Sequence, residues 1–154
     1  GDERRLDRAD VVALVESFSE QPPPAPFDTD RTWIDEAFAA DTVAQIIGRL
    51  RARPEAAAST CADALETLSP TSLAVSLAAV RRARALPNLR TALEQEYGLV
   101  LWFAATQPDL VEGIRAQLID KDRSPKWMPA SIGELAPDVA ETALSYRPTP
   151  ALWS

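Results

Sequence analysis

Apolar residues recur along most of this chain at intervals of three and four, the spacing of one face of an α-helix. Val11, Leu14, Val15 and Phe18 mark a first amphipathic segment over about residues 6–18. Pro22, Pro23, Pro24 and Pro26 end it. Prolines lack an amide donor and fix φ, so the run predicts an extended connector, a stiff spacer rather than a ligand for a proline-recognising domain. Phe27, Trp33, Ile34 and Phe38 predict a short helical stretch that anchors the connector to the main body.

The main body opens at Asp41, the expected N-cap of a helix with a Val43, Ile46, Ile47 and Leu50 stripe and arginines at its far end, where cations suit the helix dipole. Pro54 is expected to start a second helix with Ala57, Cys61, Ala64, Leu65 and Leu68 facing inward. Ser69 as cap and Pro70 as first helical residue predict a third, with Leu73, Leu77 and Val80 buried and Arg81, Arg82 and Arg84 at its end. The longest helix is predicted over residues 89–106. Leu89, Leu93, Tyr97, Val100 and Ala104 form its stripe, Leu99 and Phe103 widen it, and Trp102 falls off it, toward a contact outside the chain. Asp109 and Glu112 carry the spacing of a capping box before Leu110, Val111, Ile114 and Leu118. Pro125 and the charges around it turn that helix into a basic loop tipped by Trp127. A last helix over 137–146 precedes a proline-containing tail. The fold class is all-α, about six helices joined by short loops. Residues 1–28 read as a linker helix and proline-rich connector, and 29–154 as the helical domain.

Composition sharpens this picture. The 154 residues suffice for one modest core, and only 5 are glycine, against a turn-rich β-fold. The net charge of −7 disfavours nonspecific binding to nucleic acid. No run of about 18 apolar residues predicts a membrane span. The first residues lack the apolar centre of a signal peptide. The lone cysteine, Cys61, has no internal disulfide partner and reads as small core filling, which suits a reducing compartment; cytoplasm is the expected localisation. The sequence contains no His, so Ser-His-Asp and Cys-His catalysis and the commonest metal ligand are missing. Its scattered glycines make no phosphate loop. Glu94 and Glu96, the carboxylates nearest the apolar helix, are two apart and point to different faces, a poor acid–base pair. No catalytic residue, metal site or bound cofactor is assigned on this chain.

One stretch is specific. Glu112-Gly113 through Lys121-Asp122, followed by Ser124-Pro125-Lys126-Trp127, resembles the C-terminal signature of the 3-hydroxyisobutyryl-CoA hydrolase family, a branch of the crotonase (enoyl-CoA hydratase/isomerase) superfamily. The resemblance extends to Ser69-Pro70-Thr71-Ser72-Leu73 and Glu96-Tyr97, and more loosely to Phe38 and Asp41-Thr42-Val43. It departs at Gly98, where the family continues Glu-Tyr with Arg. The resemblance implies the C-terminal helical portion of such an enzyme, lacking the repeated ββα spiral that carries the oxyanion hole and the assisting acidic residues. It further implies that the parent hydrolyses a branched 3-hydroxyacyl-CoA thioester in valine catabolism, coenzyme A entering as part of the substrate and not as a cofactor. The partners implied are the crotonase-fold core of the same protein, a homo-oligomer and acyl-CoA, with no nucleic acid and no membrane. Lys121 matches a Lys that contacts the CoA nucleotide in related hydratases. Arg123 and Lys126 offer further cations to its phosphates, and Trp127 a stacking face. The isolated chain is expected to be catalytically silent. An enoyl-CoA hydratase/isomerase tail, a stand-alone helical interaction module, and a regulatory acyl-ligand binder with its own pocket remain as alternatives.

Overall fold

The computed structural model describes residues 7–20, 23 and 25–153. Among the described residues there are eight α-helices and no strand, so the chain is all-α with more helices than the sequence pattern predicted. It divides into two compact units, Gly1–Thr32 and Trp33–Ser154.

In the first unit, α1 (Arg8–Ser17) starts at Asp7, whose side chain accepts from the Asp10 amide while the Asp10 carboxylate accepts from the Asp7 amide. Two acidic residues thus complete a capping box at the positive end of the helix dipole. Val11, Leu14, Val15 and Phe18 are exposed. The predicted helix start at Leu6, and Pro22 and Pro24 of the predicted connector, lie outside the described residues. A single 3₁₀ turn, Pro26–Asp28, precedes α2 (Arg31–Phe38).

In the second unit, α3 (Val43–Arg51) is capped by Thr42 and not by Asp41. Thr42 Oγ1 accepts from the Gln45 amide at 3.2 Å and Gln45 Oε1 accepts from the Thr42 amide at 3.3 Å, a reciprocal pair that the Asp41 position cannot form. The predicted stripe Val43, Ile46, Ile47 and Leu50 is buried. It packs on α4 (Ala56–Glu66), which begins two residues past Pro54 and buries Ala58 and Ala62. Ala57, Ala64 and Leu68, expected inside, are exposed, and Cys61 and Leu65 are half-buried. An alanine-rich helix marks its face weakly, and the side that buries methyl groups is the one that lets α3 approach closely.

α5 (Pro70–Ala83) joins two core clusters. Its Leu73 and Leu77 pack against the first, built around Trp33, Ile46 and Leu50. Its Val75 and Ala79 belong to the second, with Leu99, Trp102 and Ala143. α6 (Leu89–Thr106) starts at Asn88, whose side chain accepts from the Thr91 amide. Its buried face is Gly98, Leu99 and Trp102. The stripe expected inside is therefore wrong by about half a turn: Leu89, Leu93 and Val100 are exposed. Trp102, expected to face outward, is 4% exposed, because α8 (Val139–Ser145) brings Ala143 into the same cluster. α7 (Pro108–Ile114) runs directly into a π-helical turn, Arg115–Ile119. An irregular stretch and a 3₁₀ turn, Ile132–Glu134, then lead to α8, which starts two residues later than its proline suggested.

Candidate functional site

The unusual backbone is concentrated where α7 ends. In the π turn the Asp120 amide donates to the Arg115 carbonyl at 2.8 Å, a wider ring than the α-helical one. Such turns occur mostly as single insertions and often at functional sites. Lys121 and Arg123 then adopt left-handed φ values of 57° and 53°. Long side chains seldom take this conformation, which costs roughly 1–3 kcal/mol per residue and persists only where the surroundings impose it.

The surroundings do impose it, through Arg115. Its Nε and Nη2 each donate to a different Glu112 oxygen at 2.8 Å. Nη1 donates to Asp120 at 2.6 Å and to Asp122 at 2.7 Å, and Nη2 also reaches the Ser124 carbonyl. Glu112 in turn accepts from the Lys126 amide at 2.6 Å, and Asp122 from the Ser124 amide at 2.9 Å. One guanidinium and its carboxylates thus fix residues 120–126 from inside the loop. The bidentate Arg115 pair and the Lys126 amide hold the Glu112 carboxyl down to about 2, and Asp122 is lowered from its ordinary value by Arg115 and by the Ser124 amide. The Asp109–Glu112 capping box does not form. Gln107 stands at the N-cap, Glu112 serves Arg115, and Asp109 turns inward, 4% exposed, accepting from Ser69 Oγ at 2.5 Å and from the Met128 amide at 2.8 Å.

The four residues singled out in the sequence divide by place. Lys121, Arg123 and Lys126 are exposed and project from the fixed loop. Trp127 is half-buried: its Nε1 donates to the Thr67 carbonyl at 2.9 Å, and its ring lies where a Cβ on Gly113 would meet it at 3.4 Å. Gly113 thus lets the indole close against α7. The organisers that the sequence reading missed are Arg115, Asp120 and Asp122. The readable signal was Glu112 and Arg115 three apart on a helix, with two further acids just beyond its end.

A shallow apolar groove of about 790 Å³ lies beside this loop, walled by Val80, Val100, Leu110, Ile114 and Leu118. Among the described residues no group of acidic residues and Cys61 is placed to hold a metal, and no helix is long and apolar enough to cross a membrane.

The helical fold, with its signature loop, defines a recognisable class. A family model described as enoyl-CoA hydratase/isomerase matches residues 2–144, and the chain belongs to that family. Among its relatives, "3-hydroxyisobutyryl-CoA hydrolase, mitochondrial" of Danio rerio is 30% identical over 89% of this chain and 37% of its own length. "3-hydroxyisobutyryl-CoA hydrolase-like protein 5" of Arabidopsis thaliana is 35% identical over 82% of this chain and 35% of its own. Among solved structures, a carnitinyl-CoA dehydratase from Mycobacterium thermoresistibile superposes with TM-score 0.83 at 41% identity, covering 93% of this chain and 40% of that one. An enoyl-CoA hydratase from Rhodobacter sphaeroides 2.4.1 superposes with TM-score 0.74 at 32% identity, covering 90% and 42%. The chain therefore spans no more than about two fifths of the length of these relatives.

Proposed function

We propose that this chain is the helical portion of an acyl-CoA enzyme of the 3-hydroxyisobutyryl-CoA hydrolase type, and that its Lys121–Lys126 loop binds the phosphates of coenzyme A. The parent enzyme would cleave a branched 3-hydroxyacyl-CoA thioester in valine catabolism, with the chemistry carried by a crotonase-fold core and this portion also serving subunit association. The names of the relatives support the substrate class. The observation that carries the reading is the loop itself. Arg115 engages Glu112, Asp120 and Asp122 and leaves Lys121, Arg123 and Lys126 without an ion pair among the described residues. Ammonium and guanidinium groups held by a fixed backbone are ready phosphate ligands, because the entropy of ordering the loop is already spent. Trp127 anchors this end of the loop. Cytoplasm remains the compartment we propose, because Cys61 has no disulfide partner within this chain.

Calorimetric titration of coenzyme A into the chain tests this. Saturable binding is expected, weakening as salt is raised. Lys121→Ala should cost roughly fivefold to tenfold in affinity, the larger figure being about 1.4 kcal/mol. Unchanged affinity in that variant would remove the loop from the site. Measurable thioester hydrolysis by the chain alone would remove the assignment of the chemistry to a separate core.

A further inference from the structure

The end of α5, the start of α6 and the tail after α8 surround a second pocket, of about 340 Å³, which shares no residue with the Lys121–Lys126 loop. Gly98 sets how closely the tail crosses α6, since a Cβ there would stand 3.5 Å from the Tyr146 carbonyl. The tail is fastened further along. The Tyr97 hydroxyl donates to the Pro150 carbonyl at 3.3 Å, and Arg90 lies 4.9 Å over the Trp153 ring. Two cations of the pocket meet at one oxygen. Arg82 Nη1 donates to the Leu144 carbonyl at 3.0 Å, and Arg147 Nη1 donates to the same carbonyl at 3.2 Å. The two nitrogens are therefore no farther apart than these distances combined. Arg147 Nη1 also reaches the Tyr146 carbonyl at 3.0 Å. One guanidinium is enough for the end of a short helix, and the second adds a like charge that repels the first. Neither arginine forms an ion pair among the described residues, although the chain carries 23 acidic residues against 16 basic ones. The carboxylate on the pocket wall, Glu94, is engaged by Arg90 at 3.6 Å. Leu86, Tyr97, Leu152 and Trp153 give the pocket an apolar side.

We infer that this pocket binds a small organic carboxylate, with its anion held by Arg82 and Arg147 and its apolar body against Leu152 and Trp153. Three features select that chemistry. Each guanidinium keeps N–H donors beyond those spent on the carbonyls, in the planar fork that suits carboxylate oxygens. An anion between the two arginines also relieves their mutual repulsion. Glu94 on the same wall opposes a second negative charge, so a monoanion suits the site better than a phosphate dianion. The volume is at the low end for ligand pockets, and an apolar side next to the cations asks for a short apolar body. This site is additional to the coenzyme A loop and does not depend on that reading.

Phenylacetate is the probe. Its binding is followed by the fluorine resonance of Trp153 in the chain labelled with 5-fluorotryptophan, assigned with Trp153→Phe. We expect a saturable shift that weakens as salt is raised. Arg147→Gln should weaken binding about tenfold or more, because a charged hydrogen-bond donor is lost. Arg82→Lys keeps a donor for the Leu144 carbonyl but not the planar fork, and should weaken it about threefold. Arg147 is exposed, so an unchanged melting temperature is expected for its variant. Should either variant melt lower, the other decides, together with ligand comparisons on the parent chain. There 2-phenylethanol, the same body without the charge, should bind at least about tenfold more weakly, and so should inorganic phosphate. The inference is overturned if phenylacetate gives no saturable shift, or if Arg147→Gln folds and binds it as the parent does. It is also overturned if 2-phenylethanol or inorganic phosphate binds as tightly, or if phenyl phosphate binds more tightly. Lys121→Ala should leave phenylacetate affinity unchanged, and coenzyme A should not displace the probe. Failure of either expectation would assign the anion to the coenzyme A site and remove this one.

Discussion

Arg115 does more for the candidate site than any residue that projects from it. A surface ion pair is usually worth under about 1 kcal/mol, because two long side chains must be ordered in water. Here one guanidinium meets several acceptors in a single geometry, and the ordering is shared. The pH dependence follows from Glu112. Its folded pKa is about 2 against an ordinary 4.5, so it binds fewer protons in the folded state than in the unfolded state between those values. Its contribution is complete above the ordinary carboxylate value and is lost as pH falls from about 4.5 toward 2. In acid unfolding followed by circular dichroism, Glu112→Gln should therefore flatten the loss of stability in that window. Its largest deficit relative to the parent should appear at neutral pH. Equal acid sensitivity in both proteins would mean that the carboxylate is not held as described. Asp109 belongs to the same scale. Removing it leaves the Met128 amide and the Ser69 hydroxyl without their buried acceptor, so Asp109→Ala should cost about 1–3 kcal/mol in urea denaturation.

The elements differ in how plainly their sequences marked them. The stripe of α3 was legible because β-branched and leucine side chains sit on one face and charges on the other. α6 misled because it is apolar on both sides, and periodicity cannot say which face the rest of the chain will cover. Partners distant in sequence decide it: α8 and the tail come to the Gly98 side. The Tyr97 hydroxyl donates to the Pro150 carbonyl at 3.3 Å, and Arg90 lies 4.9 Å over the Trp153 ring. The π turn had no signature at all, since it arises from where Arg115 finds its carboxylates. In the candidate site the exposed cations were legible as residue types, while their fixation was not. Gly98, the departure from the family pattern, gives the prediction at this scale. A Cβ there would stand 3.5 Å from the Tyr146 carbonyl and 3.9 Å from the Pro148 ring, ordinary contact distances. Gly98→Ala should then stabilise the chain by about 0.5–1 kcal/mol, the helix-propensity difference, read as a raised denaturation midpoint. Gly98→Arg, the residue of the family pattern, must push the tail aside and should lower that midpoint. If both variants are destabilising, the tail packs more tightly on α6 than these distances allow.

The second unit holds together because α5 serves both of its clusters, and its last turn shows this most directly. Arg81 donates to the Asp41 carbonyl at 2.7 Å and also to the Phe38 and Ala40 carbonyls, which closes the C-terminal end of α2. Arg82, its neighbour, donates to the Leu144 carbonyl at 3.0 Å, at the end of α8. Two arginines at the end of α5 thus satisfy carbonyls at the ends of two other helices. One helix shared in this way couples the Trp33 cluster to the Trp102 cluster, and coupled clusters unfold as one transition. The four tryptophans of the chain make this measurable in a single sample. With 5-fluorotryptophan, the fluorine resonances of Trp33 and Trp102 should lose native intensity at the same urea concentration. Arg81→Ala should shift both midpoints together, by about 1–2 kcal/mol, since hydrogen bonds from a charged group are worth that much or more. If Trp33 alone moves, the clusters fold separately, and α5 is a support for each and not the coupling between them.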